Sequence, residues 1–257
     1  MRQVVKEAWL EFTEPLEGGL NYLYADKLNL ITTGYGNLVD PLSMAMALPW
    51  MIDGRAARPD EIATAWWTIK NDPNSAWRGH TYAKTLSALR LLPEAVHDLV
   101  YGKLRSNDAE LGEAFAEFEE WPAMAQMAMH SWAWACGAHS PFPELFKALR
   151  KQDFAAAAVH IHINEDGADR IHGTADDNRG LIPRNVANKI LMRNAAKVLA
   201  FKLDPDMLEW KRDLGPPDIT TAPELENPAS EPTICVGPIA HVDPSDYLRN
   251  RDDEDDS

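Results

Sequence analysis

The feature that most constrains this chain is a change of hydrophobic period between residues 17 and 38. Val4, Val5, Ala8, Trp9, Phe12 and Leu16 recur at the spacing of one helix face. Glu17-Gly18 reads as the end of that helix, because glycine takes the left-handed conformation that closes one. Pro15 lies inside the last turn, where a missing backbone N–H kinks or shortens a helix. From Leu20 to Leu38 the helical period is lost, and Gly34 and Gly36 bracket Tyr35 as in a bent strand or hairpin. One helix, a short β segment and then a long helical remainder make an α+β chain that is mainly α. A small antiparallel sheet is expected in an N-terminal lobe, followed by a helical C-terminal lobe.

The helical remainder is punctuated clearly. Pro59-Asp60-Glu61-Ile62 opens a helix with acidic residues in its first turn, and Ile62, Ala65, Trp66 and Ile69 mark its buried face. Asp72-Pro73-Asn74-Ser75 ends it. Further helices are expected over Leu86 to Leu92, Pro93 to Leu104 and Asp108 to Phe118, with Pro49 to Arg58 as part of an insertion. Ala125 to Gly137 is the most apolar stretch and reads as a central buried helix. These signals place a small lobe at about 18–58, a helical lobe at about 59–213 and a tail at 214–257.

The tail is compositionally distinct. It carries eleven Asp or Glu against Arg249 and Arg251, together with Pro216, Pro217, Pro223, Pro228, Pro232, Pro238 and Pro244. Such a segment lacks the apolar surface to bury a core and is expected to be extended or disordered. It solvates the chain or serves a protein partner with a basic surface, and Ile234-Cys235-Val236-Gly237-Pro238-Ile239 is its one apolar patch. Much of the net charge of -15 sits there, so the folded part is only moderately acidic. An acidic chain without a basic stripe argues against nucleic acid. No apolar run approaches a bilayer span, so membrane insertion is not expected, and the N-terminus lacks the pattern of a signal peptide, which points to a cytoplasmic product as synthesised. Cys136 and Cys235 fall in a buried helix and the tail, and both are expected to be reduced.

Within the β segment, Glu17, Asp26 and Thr32 stand at fixed intervals, with eight and then five residues between them. Two carboxylates at the mouth of a small fold are what cleavage of a glycosidic bond requires. The stretch from Glu17-Gly18-Gly19-Leu20 through Tyr24-Ala25-Asp26 to Thr32-Thr33-Gly34-Tyr35-Gly36 resembles the phage-type lysozymes, the muramidases and endolysins of glycoside hydrolase family 24. Their signature is Glu, eight residues, Asp, five residues, Thr. Downstream, Gly180-Leu181-Ile182-Pro183-Arg184 is similar to the family's Gly-Leu-x-x-Arg segment, and the helices follow in the family's order to about residue 213. The specific match is confined to Glu17–Gly36. Many relatives carry His after the second glycine, where this chain has Asn37.

The resemblance implies a two-lobed lysozyme-like fold and an N-acetylmuramidase that needs no cofactor. It would cleave the β-1,4 bond between N-acetylmuramic acid and N-acetylglucosamine in peptidoglycan, with inversion at the anomeric carbon. Glu17 would be the general acid, and Asp26 with Thr32 would orient the attacking water. Arg184, Tyr35 and Asn37 would bind or position. A cytoplasmic muramidase reaches the wall by holin-type release, virion carriage or injection. Two alternatives are a catalytically silent lysozyme-like module of a virion or injection device, and a hydrolase of a related amino-sugar polymer such as chitin.

Other constellations carry less. His160, His162, Glu165, Asp166, Asp169 and His172 include metal-ligand types, but their spacing matches no metal motif and reads as amphipathic packing. Asp166-Gly167-Ala168-Asp169 and Asp176-Asp177-Asn178 lack the ligand ladder of a calcium loop and read as surface turns. No metal is expected. Trp66, Trp67, Trp77, Trp121, Trp132 and Trp134 could supply one or two sugar-stacking faces, with Trp132 and Trp134 assigned to the core.

Overall fold

The computed structural model describes residues 1–166, 170 and 177–215. The expectations for the tail beyond Gly215, for Cys235, and for Gly167, Ala168, Asp169, His172 and Asp176 lie outside the described residues. The chain is α+β and mainly helical. In order it forms α1 (Gln3–Glu17), β1 (Leu20–Ala25), β2 (Ile31–Gly34), β3 (Asn37–Leu38), α2 (Leu42–Met46), β4 (Met51–Ile52), β5 (Arg55–Ala56), α3 (Pro59–Asn71), α4 (Ser75–Leu86) and α5 (Pro93–Ala114). A 3₁₀ turn (Phe118–Glu120) then leads to α6 (Ala123–Cys136), α7 (Pro143–Leu149), α8 (Phe154–His160) and α9 (Leu181–Phe201). Among the described residues no helix is long and apolar enough to cross a membrane.

Two compact units divide the chain. Among the described residues, one holds Met1–Leu16 and those from Ser106 to Gly215, and the other holds Glu17–Arg105. The division therefore groups 59–105 with the sheet, because α3 and α4 pack on its strands.

In the sheet unit β1, β2 and β3 form an antiparallel sheet in that order. Ala25 pairs with Ile31 and Tyr24 with Thr32, and Thr33 pairs with Asn37. The helix signal at Pro59 is met by α3, whose buried residues are Ile62, Ala65, Trp66 and Ile69. Trp66 donates its indole N–H to Val39 O at 2.9 Å, and Lys70 Nζ reaches Asp40 at 2.6 Å, so one helix face fixes the end of the sheet. The insertion contains the hairpin β4–β5, turned by Asp53 and Gly54, both at positive φ, as a two-residue hairpin loop needs.

Two helix expectations are corrected. Residues 87–92 are extended and bridge Arg90 to Met51. Leu89 and Leu91 are buried while Ala88 and Leu92 are exposed, which is a period of two, and Pro93 biases the residue before it away from helix. The second correction joins two expected helices into α5. Val96, Val100, Leu104, Asn107 and Leu111 continue one buried stripe across the polar run at 106–108, and that stripe outweighs the weak helix propensity there.

The other unit is built on α6, buried at every residue from Ala123 to Trp134. Trp132 meets Phe142 and Phe146 edge-on, at 5.1 and 5.7 Å, and Trp9 of α1 packs on Trp134 at 5.3 Å. Several polar groups at this depth are paired, whereas the indole N–H groups of Trp9, Trp121 and Trp132 find no acceptor among the described residues. Gln126 donates to Phe118 O and Glu119 O and accepts from the Arg2 amide. Asn194 of α9 donates to Glu209 O and Arg212 O and accepts from Leu214 N, which folds the last described segment against α9. His130 is fully enclosed, with Nε2 3.2 Å from Asp108 Oδ1. Burial pushes the imidazole below its usual range, against a smaller pull from Asp108, so the ring is neutral at pH 7.

Candidate active site

Glu17, Asp26, Thr32, Tyr35 and Asn37 all belong to the sheet unit. Glu17 is the last residue of α1 and half-buried, and Gly18 follows at φ 67°, the left-handed conformation anticipated from the sequence. The Glu17 carboxylate lies over the β2–β3 turn: a Cβ built on Gly36 would stand 3.5 Å from Oε2.

Asp26 and Thr32 converge on one residue, Leu30. Asp26 Oδ1 accepts the amides of Leu28 and Leu30, each at 2.8 Å, and the Asp26 amide donates to Leu30 O at 2.9 Å. Thr32 Oγ1 donates to the same carbonyl at 3.2 Å. The turn between β1 and β2, with Asn29 at φ 59°, thus locks the carboxylate and the hydroxyl to Leu30. The five-residue interval between Asp26 and Thr32 is the length of this turn plus one step of β2.

Tyr24 is the residue that sequence reasoning missed as a site residue. It pairs with Thr32 across the ladder, so the two side chains share a face, and Asp26 lies two positions on along the strand. Burial pushes its phenol well above the usual tyrosine range, and the charges of Glu17 and then Asp26 push it further. The phenol therefore keeps its proton. The signal available in sequence was the alternation Tyr22, Tyr24, Asp26, which sends Tyr24 and Asp26 to one side of a strand.

Tyr35 and Asn37 are buried and brace the site. Asn37 Oδ1 accepts the Tyr35 amide at 3.1 Å and Nδ2 donates to Leu99 O of α5 at 3.3 Å. The Tyr35 hydroxyl packs on Gly19, where a Cβ would come within 2.8 Å of it. Arg184 belongs to the other unit. It stands in the first turn of α9, which does open at Leu181, is buried, and donates from Nη1 to Ser131 O and Oγ of α6 at 2.8 and 3.0 Å.

Of the six tryptophans weighed as stacking faces, Trp66, Trp121, Trp132 and Trp134 are core, whereas Trp67 is 50% and Trp77 73% exposed. His162 meets Glu165 at 2.9 Å, and Asn185 donates to the same carboxylate oxygen. No three His, Cys, Asp or Glu side chains come together as a metal site among the described residues. No family model, curated protein or solved structure matches this chain.

Proposed function

We propose that the chain is a peptidoglycan hydrolase, an N-acetylmuramidase that uses Glu17 as general acid and Asp26 with Thr32 to hold and activate water. The observation that carries this reading is the convergence of Asp26 and Thr32 on Leu30, beside Tyr24, which pairs with Thr32 across the ladder. Asp26 and Thr32 share the β1–β2 turn, and the Glu17 carboxylate lies over the neighbouring β2–β3 turn.

In this reading the roles are those that the resemblance implies. Glu17 gives its proton to the glycosidic oxygen, the C1–O bond breaks, and the sugar fragment leaves as an alcohol. The carbonyl end of α1 gives no dipole support to a negative charge at Glu17, which suits a residue that must arrive protonated. Water adds to C1 from the opposite face as Asp26 accepts its proton, and the Thr32 hydroxyl aligns it. Tyr24 remains protonated and offers a donor hydroxyl on the face it shares with Thr32. Arg184 holds α6 to α9 within its own unit.

The competing reading is a lysozyme-like binding module without activity. Asp26 Oδ1 is already engaged by two turn amides and Thr32 is only 5% exposed, which is also how a purely structural turn is built. Release of reducing ends from purified peptidoglycan separates the two. The wild type should release muramic-acid reducing ends, and Glu17→Gln should lower the rate by about 10²–10⁴-fold, the usual contribution of a general acid. Equal rates for the two proteins, or no release by either, would leave the binding module.

A further inference from the structure

From Pro73 to Pro93 the chain has no Asp or Glu but carries Arg78, His80, Lys84 and Arg90, an unusual run in a protein of net charge -15. The fold gathers three of these on one ring. Lys84 Nζ lies 5.6 Å and the Arg90 guanidinium 5.3 Å from the centroid of Tyr22, and the Tyr22 hydroxyl meets His80 Nδ1 at 2.9 Å. His80 and Lys84 are one helical turn apart in α4, on the exposed side, while Tyr22 is buried beneath them.

The cluster is rigidly supported. Leu91 N donates to Asn21 O at 2.8 Å, Asn21 Nδ2 donates to Leu91 O at 3.3 Å, and Arg90 exchanges both backbone hydrogen bonds with Met51. The guanidinium is held by carbonyls alone: Nη1 donates to Ser87 O at 2.9 Å and Leu89 O at 2.6 Å, and Nη2 to Lys84 O at 3.4 Å. Carbonyls fix an arginine without cancelling its charge. Among the described residues neither Lys84 nor Arg90 forms a salt bridge. Two cations on one aromatic ring repel each other, and the ring offsets only part of that cost. An anion bound between them would remove it.

We propose that Tyr22, His80, Lys84 and Arg90 form a carboxylate-binding site, and that its ligand is a peptide carboxylate of the anionic glycan on which the proposed hydrolase acts. The choice of glycan rests on that proposed function; the anion site itself does not. Arg90 gives the fixed donor fork and Lys84 a mobile charge, a pairing suited to a carboxylate on a flexible substituent. Tyr22 forms the floor of the site, and its hydroxyl bond to His80 sets the position of the imidazole at the rim.

The test uses the full chain carrying Glu17→Gln, so that the polymer survives, and compares it with the same chain also carrying Lys84→Gln and Arg90→Gln. Binding is measured at low salt to peptidoglycan sacculi, to sacculi whose carboxylates have been capped as amides, and to poly-L-glutamate. The double substitution should weaken binding to untreated sacculi about tenfold, the scale of two partly exposed charge contacts. It should weaken poly-L-glutamate similarly and leave capped sacculi unchanged, while Lys84→Arg should retain binding. Equal binding of parent and double variant to untreated sacculi, or no binding of the parent to them, overturns the proposal. Loss of poly-L-glutamate binding with no response to capping overturns the glycan as ligand. Failure of the hydrolase reading appears separately, as absent reducing-end release by the chain with Glu17 intact.

Discussion

Gly34→Ala should be among the most damaging single-methyl additions in the sheet unit, and its cost can be assembled from named contacts. Gly34 has φ 62°, a conformation that costs an L-residue about 1–2 kcal/mol. A Cβ there would also stand 2.7 Å from Asn37 Oδ1, so Asn37 must move. That oxygen accepts the buried Tyr35 amide, and an orphaned buried N–H costs about 1–3 kcal/mol. The total is about 2–5 kcal/mol. Gly18→Ala is the control, since it has φ 67° and nothing within 4 Å of the added Cβ, and should show only the backbone cost. Asn37→Ala alone orphans the same amide. Combined with Gly34→Ala it should lose less than the two separate costs together, by about 1–3 kcal/mol, because the amide can be orphaned only once. Urea midpoints give the energies, and hydrogen exchange of peptides spanning residues 31–38 localises the effect. If Gly34→Ala matches Gly18→Ala, or if the double substitution is simply additive, the Asn37 brace is not arranged as described.

Tyr24→Phe should reduce release of reducing ends about tenfold by removing the donor near both carboxylates. It should not shift the alkaline side of the pH profile, since the phenol already holds its proton above the ordinary tyrosine range; a moved alkaline limb would show that Tyr24 ionises in turnover. His130 predicts acid sensitivity of stability. The ring is neutral in the fold, so the unfolded chain takes up a proton first, near pH 6.5, and stability present above that pH falls as pH falls toward the lower folded-state value. The slope approaches about 1.4 kcal/mol per pH unit in that window, and His130→Gln should flatten the urea midpoint between pH 7.5 and 5. A wild-type midpoint constant over that range would mean the ring charges without cost.

What could be read from the sequence was whatever a local rule determines. The helix through Glu17, the turn glycines, the start of α3 and the buried α6 each follow from periodicity or a terminal signal within a few residues. The errors arose where two local rules competed. At 86–92 the leucines suit either period, and only the bridge from Arg90 to Met51, about forty residues upstream, selects the extended form. At 106–108 the polar run looks like a break until Asn107 is seen to lie on the buried stripe. The site divides in the same way. The closeness of Asp26 to Thr32 follows from the one turn that joins them, whereas the place of Tyr24 opposite Thr32 became visible only once β1 was paired with β2. Asn37 and Tyr35 stand where the sequence placed them in the chain, but they look inward, and only the Leu99 contact from a distant helix makes that plain.

Charge distribution bears on whether an acidic protein can approach an anionic polymer at all. The net charge of -15 would slow such an encounter if it were spread evenly. It is not spread evenly. Residues 17–105, which hold Glu17, Asp26 and Thr32, contain nine Asp or Glu and nine Lys or Arg, whereas residues 214–257 contain eleven acids and two bases. Charges beyond a Debye length of about 8 Å are largely screened at physiological salt, so an incoming polymer responds to the local balance and not to the total. Locally that balance includes Lys84 and Arg90, placed over Tyr22 with no acid between residues 73 and 93 to cancel them. An excess of acid elsewhere in the chain is therefore compatible with attraction at this unit. Raising the salt should weaken wall binding through these two side chains, whereas an encounter limited by overall repulsion would instead improve.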